Sequence, residues 1–389
     1  MESVQAVILA AGEGTRLRPL TRNRPKVMLP IGNRPILAYV LDAVVACGIR
    51  DITVVVGYRK EQVMTYLNTY PVPVNVVVQN RQLGTAHALS CAKDFIHTKT
   101  IVLPGDDYID ASSIRLMMAQ ENAVLVSPHP KPANFGVVSQ HDGLLSGIIE
   151  KPSRVEPGAL VSCGVYTFSP ELLHSIDVGT LPEFLKILLE RGCALYAVRA
   201  TDWHDAVFPW DLLHLNDHVL QDRAAVISGT LDRSVVIRGR VVIGKGTVVG
   251  PGTVLSGPVV LGENCTIGPN VVIGPGTSIG RRVSVEPFAY ISHSIVMRDC
   301  SVGSHSRIVD AVIGEGCRMA DHLSTVTGQA LCRASDDSVF VSDSFGAVLG
   351  DRVVTGPFTI VRSAVVGNNV IISGNTSVDR EIPDDSRVV

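Results

Sequence analysis

Residues 6–30 read AVILAAGEGTRLRPLTRNRPKVMLP. An apolar run opens into Gly12 and Gly14, then into Arg16, Arg18, Arg22, Arg24 and Lys26. Glycines allow the backbone to approach a ligand closely, and its N–H groups can then bind anionic oxygens. An arginine adds a bidentate fork and a lysine a mobile point charge. Prolines 19, 25 and 30 stiffen the loop. On composition alone this is either a phosphate cradle or a tight strand-to-helix turn with solvated charges. Two known phosphate loops do not fit. The dinucleotide fingerprint meets Leu17 where its last glycine belongs, and a Walker-type loop fails at Leu17-Arg18-Pro19. A Rossmann dehydrogenase and a P-loop kinase are thereby disfavoured.

Other polar residues fall at predicted strand ends and in loops, where taken alone QNRQLGTAHA reads as an ordinary polar loop. LPGDDYID puts Asp106 at a predicted strand end, after Gly105. Asp107 is expected to face solvent or stand behind it. DWHDAVFPWDLL carries Asp205 two residues after Trp203, and QNRQLGTAHA carries Gln79, Gly84 and Thr85. GIIEKP contributes Glu150 and Lys151.

These residues need elements to hold them. VQAVILAA, DITVVVG, VNVVVQ and TIVLPGDD read as buried strands, separated by helices at 34–48, near 60–67 and at 84–96. In the first helix Ile36, Leu37, Val40, Leu41 and Val44 share a face, and Gly48 stops it. Such alternation predicts an α/β domain with a mainly parallel sheet covered on both faces, binding its ligand at the carboxyl ends of the strands. Gly12, Gln79 and Asp106 all fall at such ends.

After a helical connector at 209–227 the sequence counts in sixes. Ile237, Ile243, Val249, Leu255, Leu261, Ile267, Ile273, Ile279, Val285 and Ile291 form an unbroken aliphatic series, with glycine following at 244, 250, 262, 268, 274 and 280. That hexapeptide rhythm predicts a parallel β-helix, three hexads to a coil. The rhythm weakens between about 295 and 320, is lost near 322–344 and then returns, which predicts a loop thrown out from the solenoid. The expected domains are 1–227 and 228–389.

At 46% hydrophobic residues and net charge −3, the chain has ample material for cores and no bulk signal for nucleic-acid or membrane binding. No apolar stretch approaches a spanning helix, and the N-terminus lacks a basic leader region, so the expected location is cytoplasmic. The eight cysteines are too widely spaced for a zinc site or a disulfide scaffold and read as buried thiols.

The run LAAGEGTRLRPLT followed by RPKVMLPIGNRPI closely resembles the signature of the sugar-1-phosphate nucleotidylyltransferases. The two-domain layout is similar to the uridylyl- and thymidylyltransferases that end in a left-handed β-helix, among them bifunctional N-acetylglucosamine-1-phosphate uridylyltransferases. The resemblance implies that Ala10, Gly12, Gly14, Thr15 and Arg16 hold a nucleoside triphosphate, with Lys26 at the reacting phosphates. It implies base reading by Gln79, Gly84 and Thr85, and sugar contacts from Gly136, Glu150, Lys151 and Ser162. Ser162, in VSCGVY, replaces the asparagine of many relatives and leaves the preferred sugar open. Asp106 and Asp205 are the implied ligands of Mg²⁺, a hard cation that takes oxygen donors. Ala10-Ala11-Gly12 and Gln79 lean toward UTP or dTTP, with glucose-1-phosphate or N-acetylglucosamine-1-phosphate as acceptor. The alternatives are a GDP-mannose or ADP-glucose pyrophosphorylase, or a non-catalytic regulatory protein of the same architecture. The second disfavours itself because Arg16, Lys26, Asp106 and Asp205 are all present.

By the same resemblance the β-helix forms a homotrimer and carries acetyl transfer from acetyl-CoA in bifunctional relatives, using a histidine six residues before an aspartate. Here the aspartate is Asp310, but six back is Ser304, and the candidate His305 is one step along. A one-residue shift on a strand reverses a side chain unless a bulge restores it.

Overall fold

The computed structural model describes residues 4–333 and 339–389. The chain forms two compact units that do not follow chain order. One comprises Met1–Glu13, Arg24–Met28 and Ile36–Asp205; the other comprises Gly14–Asn23, Leu29–Pro35 and Ala206–Val389.

The first unit is built on a nine-stranded sheet of β1 (Val4–Ala10), β2 (Ile52–Val56), β3 (Asn75–Val78), β4 (Lys99–Pro104), β5 (Ala123–Pro128), β6 (Gly136–His141), β7 (Leu144–Glu150), β8 (Leu160–Phe168) and β9 (Tyr196–Arg199). The order is β3-β2-β1-β4-β8-β5-β9-β7-β6. The first four are mutually parallel, while β8 runs antiparallel to β4 and β5. Because side chains alternate along a strand, β1 feeds two cores. Ala6, Ile8 and Ala10 join Leu37, Val40 and Val54 on one face, and Val7 joins Val55, Val102 and Phe168 on the other. The helix Ile36–Ala46 buries the predicted stripe of Ile36, Leu37, Val40, Leu41 and Val44 completely. The third helix is shorter than expected, Thr85–Ser90, followed by a separate turn at Lys93–Phe95.

The second unit contains a left-handed parallel β-helix of three sheets with eight, nine and eight strands. Its register stacks Ile243, Leu261, Ile279, Val296 and Ile313 in one column. From Ile243 to Ile279 the coils repeat every eighteen residues; the steps to Val296 and Ile313 are one residue shorter, which is why the hexad rhythm weakens there. Stacking itself continues. The expected loop lies between the strands Ser324–Val326 and Ala347–Leu349 and contains the short antiparallel strands Leu331–Arg333 and Val339–Val341.

The repeating glycines serve close approach rather than unusual dihedrals. A Cβ on Gly262 would stand 2.6 Å from the Arg281 nitrogen of the next coil, and one on Gly244 would stand 2.5 Å from Gly262. The left-handed corners come two residues later, at Gly246, Gly252, Asn264, Asn270, Gly276 and Arg282. The interior also takes thiols: Cys265, Cys300 and Cys317 donate to the carbonyls of Gly280, Gly314 and Gly350 at 3.0–3.1 Å. The seven cysteines with described side chains are free. Among the described residues, no helix is long and apolar enough to cross a membrane.

Candidate active site

Three strands of the parallel set deliver candidate residues at their carboxyl ends: Gly12 after β1, Gln79 after β3, which β2 separates from β1, and Asp106 after β4. Gly105 fixes the last of these. Its N–H donates to the Leu9 carbonyl at 2.9 Å, and a Cβ there would sit 3.1 Å from the same oxygen. A side chain here would crowd β1, so glycine eases this tight turn.

Lys26 opens a single helical turn, Lys26–Met28, and its ammonium lies 2.7 Å from Asp106 Oδ2 and 3.7 Å from Asp107 Oδ1. A two-residue antiparallel pairing, Trp203 with Ile109 and His204 with Tyr108, brings the 203–205 segment to the same corner. Trp203 Nε1 donates to Asp107 Oδ2 at 3.2 Å. Asp107 therefore does not face solvent; its side chain is 13% exposed. Burial is the largest influence on its carboxyl and, with Asp106 beside it, pushes the pKa up to about 8 against the opposing pull of Lys26. Burial works against the charge on Lys26, but Asp106, Asp107 and Asp205 together raise its pKa above the ordinary lysine value. Three acidic side chains thus act on one ammonium. That excess of oxygen donors and negative charge fits a hard divalent cation, with Asp106 and Asp205 to hold it.

Asp205 is steadied by His129, whose Nε2 lies 3.5 Å from Asp205 Oδ1. The Lys131 N–H donates to His129 Nδ1 at 3.1 Å, which leaves the ring proton on Nε2, facing the carboxylate. The imidazole packs edge-on against Phe135 and Trp203, with ring centroids 4.5 and 5.8 Å away.

Gln79 is buried, and its amide nitrogen donates to the Gly84 carbonyl at 3.1 Å and faces His87 Nδ1 at 2.9 Å. Gly84 has φ +112°, and a Cβ there would overlap the Gly179 carbonyl. The Thr85 hydroxyl accepts from the Leu181 N–H at 3.0 Å, so it is held by the fold. A cleft of about 310 Å³ lies beside Gln79, lined also by Gly57, Tyr58, Arg59, Asn80 and Gln82. On the neighbouring antiparallel strands Gly136 pairs with Glu150, and a Cβ on Gly136 would come 3.1 Å from Glu150 Oε2. Lys151 lies 3.5 Å from Glu150, both about half exposed. Ser162 is buried and faces the Tyr166 hydroxyl at 3.2 Å.

Gly14, Thr15 and Arg16 belong to the second unit. Gly14 adopts a left-handed conformation, Thr15–Leu17 forms one helical turn, and Arg16 is exposed. The Thr21 hydroxyl closes the loop by donating to the Gly14 carbonyl at 2.8 Å.

Residues 5–221 match the family described as Nucleotidyl transferase. The chain belongs to that family. Residues 255–382 match the GMPPB C-terminal domain. A protein named Bifunctional protein GlmU from Methanococcus maripaludis strain S2 is 35% identical over 406 residues, covering 99% of this chain and 97% of the relative. Low-salt glycan biosynthesis nucleotidyltransferase Agl11 of Haloferax volcanii is 34% identical, covering 81% and 94%. UTP--glucose-1-phosphate uridylyltransferase AglF of the same organism is 34% identical, covering 54% of this chain and 93% of its own.

In this nucleotidyl transferase two further residues hold the candidate site, His129 at the charged corner and Gln82 beside Gln79. His129 stands in an ordinary-looking VSPHPKP, and only the fold brings it to Asp205. Gln82, whose amide donates to the Ala11 carbonyl at 2.7 Å, sits in the quoted QNRQLG element and was open to notice. On the β-helix, the histidine that pairs with Asp310 is not His305. His293 Nδ1 meets Asp310 Oδ1 at 2.6 Å, and Thr327 donates to the other oxygen at 2.7 Å. His305 takes a left-handed corner, φ 54°, and stacks between Phe288 and His322 at 5.0 and 5.1 Å. Its side chain is exposed on the outside of the coil.

Proposed function

We propose that this nucleotidyl transferase moves a nucleotidyl group from UTP or dTTP to glucose-1-phosphate or N-acetylglucosamine-1-phosphate, releasing pyrophosphate. The observation that carries the reading is the Lys26–Asp106–Asp107 cluster, with Asp205 acting on it, at the carboxyl ends of a parallel sheet. The names of the uridylyltransferase and GlmU relatives support the substrate class.

The attacking sugar phosphate is already an anion, so no general base is required. Lys26 stays protonated because carboxylates hold it so, and it delivers a full positive charge to the phosphates. The backbone N–H groups at Gly12 and Gly14, with Arg16, steady the triphosphate while charge grows on the leaving pyrophosphate. Asp106 and Asp205 would hold Mg²⁺, which when bound supplies a hard positive charge to phosphate oxygens. Gln79, Gly84 and Thr85 face the base, while Gly136, Glu150, Lys151 and Ser162 serve the sugar. The β-helix assembles three copies of this cytoplasmic enzyme.

The test is pyrophosphate release with Mg²⁺, crossing UTP, dTTP, GTP and ATP against the two sugar phosphates. A pyrimidine nucleotide with either sugar supports the reading; GTP or ATP alone would move the chain to the purine branch.

A second activity, acetyl transfer from acetyl-CoA to an amino-sugar phosphate, is favoured by one observation. His293, oriented by Asp310 and Thr327, has the bonding of a general base that His305 lacks. Thiol release from acetyl-CoA with glucosamine-1-phosphate, lost in His293→Gln and retained in His305→Gln, is the expected result; no release by the parent protein would remove the reading.

A further inference from the structure

At one corner of the β-helix the residue after the stacking glycine changes character along the solenoid. In the early coils it is Lys245, Glu263 and Arg281, all exposed. In the last three coils the corresponding residues are Asp351 and Asn368, each after a glycine, and Asp384, after Pro383; the first two are 2% and 3% exposed. These short side chains form a ladder. Asp351 Oδ1 accepts from the Glu315 N–H at 2.9 Å, Asn368 Oδ1 from the Asp351 N–H at 2.7 Å, and Asp384 Oδ1 from the Asn368 N–H at 2.7 Å.

Each rung turns its other polar atom to the segment 14–23 of the same compact unit. Asp351 Oδ2 accepts from the Asn23 amide at 3.0 Å, Asn368 Nδ2 donates to the Pro19 carbonyl at 3.1 Å, and Asp384 Oδ2 takes Arg22 Nε at 2.5 Å. Buried polar atoms must be satisfied, and here the glycine-arginine loop satisfies them. Leu17 and Leu20, at most 1% exposed, add apolar anchorage to the same loop.

We propose that Asp351, Asn368 and Asp384 are positioning residues for nucleotidyl transfer: the last coils of the β-helix hold the loop that presents Arg16 to the triphosphate. This rests on the reading of Arg16 given above. A loop held in one conformation before the ligand arrives loses less freedom on binding, so its loosening should weaken triphosphate binding without touching the acceptor sugar.

Two variants on opposite sides of the contact test this in the full-length protein. Asn368→Asp removes the donor to Pro19 and sets a carboxylate against Asp384. Arg22→Met with Asn23→Ala leaves the ladder's own bonds intact. Asn369→Ala is the control, because Asn369 bonds Arg352 and Asp385 on the exposed corner instead. Both test variants should speed amide hydrogen exchange in residues 14–23 and raise the triphosphate KM about tenfold, the size of one lost positioning contact, with the sugar-phosphate KM unchanged. The control should do neither. Unchanged exchange and unchanged triphosphate KM in folded variants would overturn the proposal. If Asn368→Asp speeds exchange throughout the solenoid, the loop-side variant decides alone. If the parent protein releases no pyrophosphate, the functional reading fails and the exchange result alone judges the anchoring.

Discussion

At the scale of single residues, the proposed chemistry rests on Lys26 and the acidic side chains around it. Lys26→Met leaves Asp106 and Asp107 facing each other without their cation. Pyrophosphate release should fall about 10²–10³-fold, with triphosphate affinity weakened, as expected on losing one preorganised charge. Lys26→Arg should recover part of the rate, and steady-state kinetics on folded protein checks both. The His293–Asp310 pair makes a separate prediction. Its hydrogen bond to Asp310 raises the His293 pKa above 6.5, and the bond from His293 lowers that of Asp310 below 3.8. The histidine's contribution to stability is full below pH 6.5 and fades as pH rises through its higher folded value. The aspartate's contribution is full above pH 3.8 and fades below. Asp217 and Arg307 also act on the pair, and the His214 ring lies 6.4 Å from His293. His293→Gln should flatten the decline of Tm as pH rises above 6.5, and an unaltered slope would contradict this. Asp106 and Lys26 were legible in the sequence because each stands in a short ordered motif. The burial of Asp107 and the approach of His129 to Asp205 were not, since both depend on strands paired across about a hundred residues.

Secondary-structure elements set where these side chains can go. The Gln79 amide depends on the turn at Gly84, which combines a left-handed φ with the Gly179 carbonyl on the side a Cβ would fill. Gly84→Ala should cost about 1–3 kcal/mol and raise the triphosphate KM by displacing Gln79. Thermal unfolding and kinetics would read the two effects separately, and an unstrained, fully active variant would contradict the geometry. The first helix and the parallel strands were legible from apolar spacing alone. The third helix was drawn too long because Cys91 to Phe95 carry no breaker, yet the chain leaves the α conformation there for a second short turn.

Over the whole molecule, the aliphatic series of the hexads is the part read most fully from sequence. Of its ten members, nine are at most 2% exposed, and Ile237 near the first coil is partly covered. Ile273→Ala should cost about 2–5 kcal/mol in the unfolding of the solenoid, since coils are stabilised chiefly by their neighbours. Chemical denaturation followed by hydrogen exchange on the β-helix would show it, and a cost near zero would mean the series is not close-packed. The grouping of residues 14–23 with the last coils left no trace in any local pattern. Its bonds join residues such as Pro19 and Asn368, 349 positions apart, and periodicity carries no information at that range. The central claim concerns the whole enzyme and is tested most directly by following the α-phosphorus of labelled UTP or dTTP with glucose-1-phosphate or N-acetylglucosamine-1-phosphate and Mg²⁺. The account predicts that the label enters a nucleotide sugar while unlabelled pyrophosphate is released, and that Lys26→Met reduces this about 10²–10³-fold. Label remaining in the triphosphate with every sugar phosphate, from folded parent protein, would contradict it.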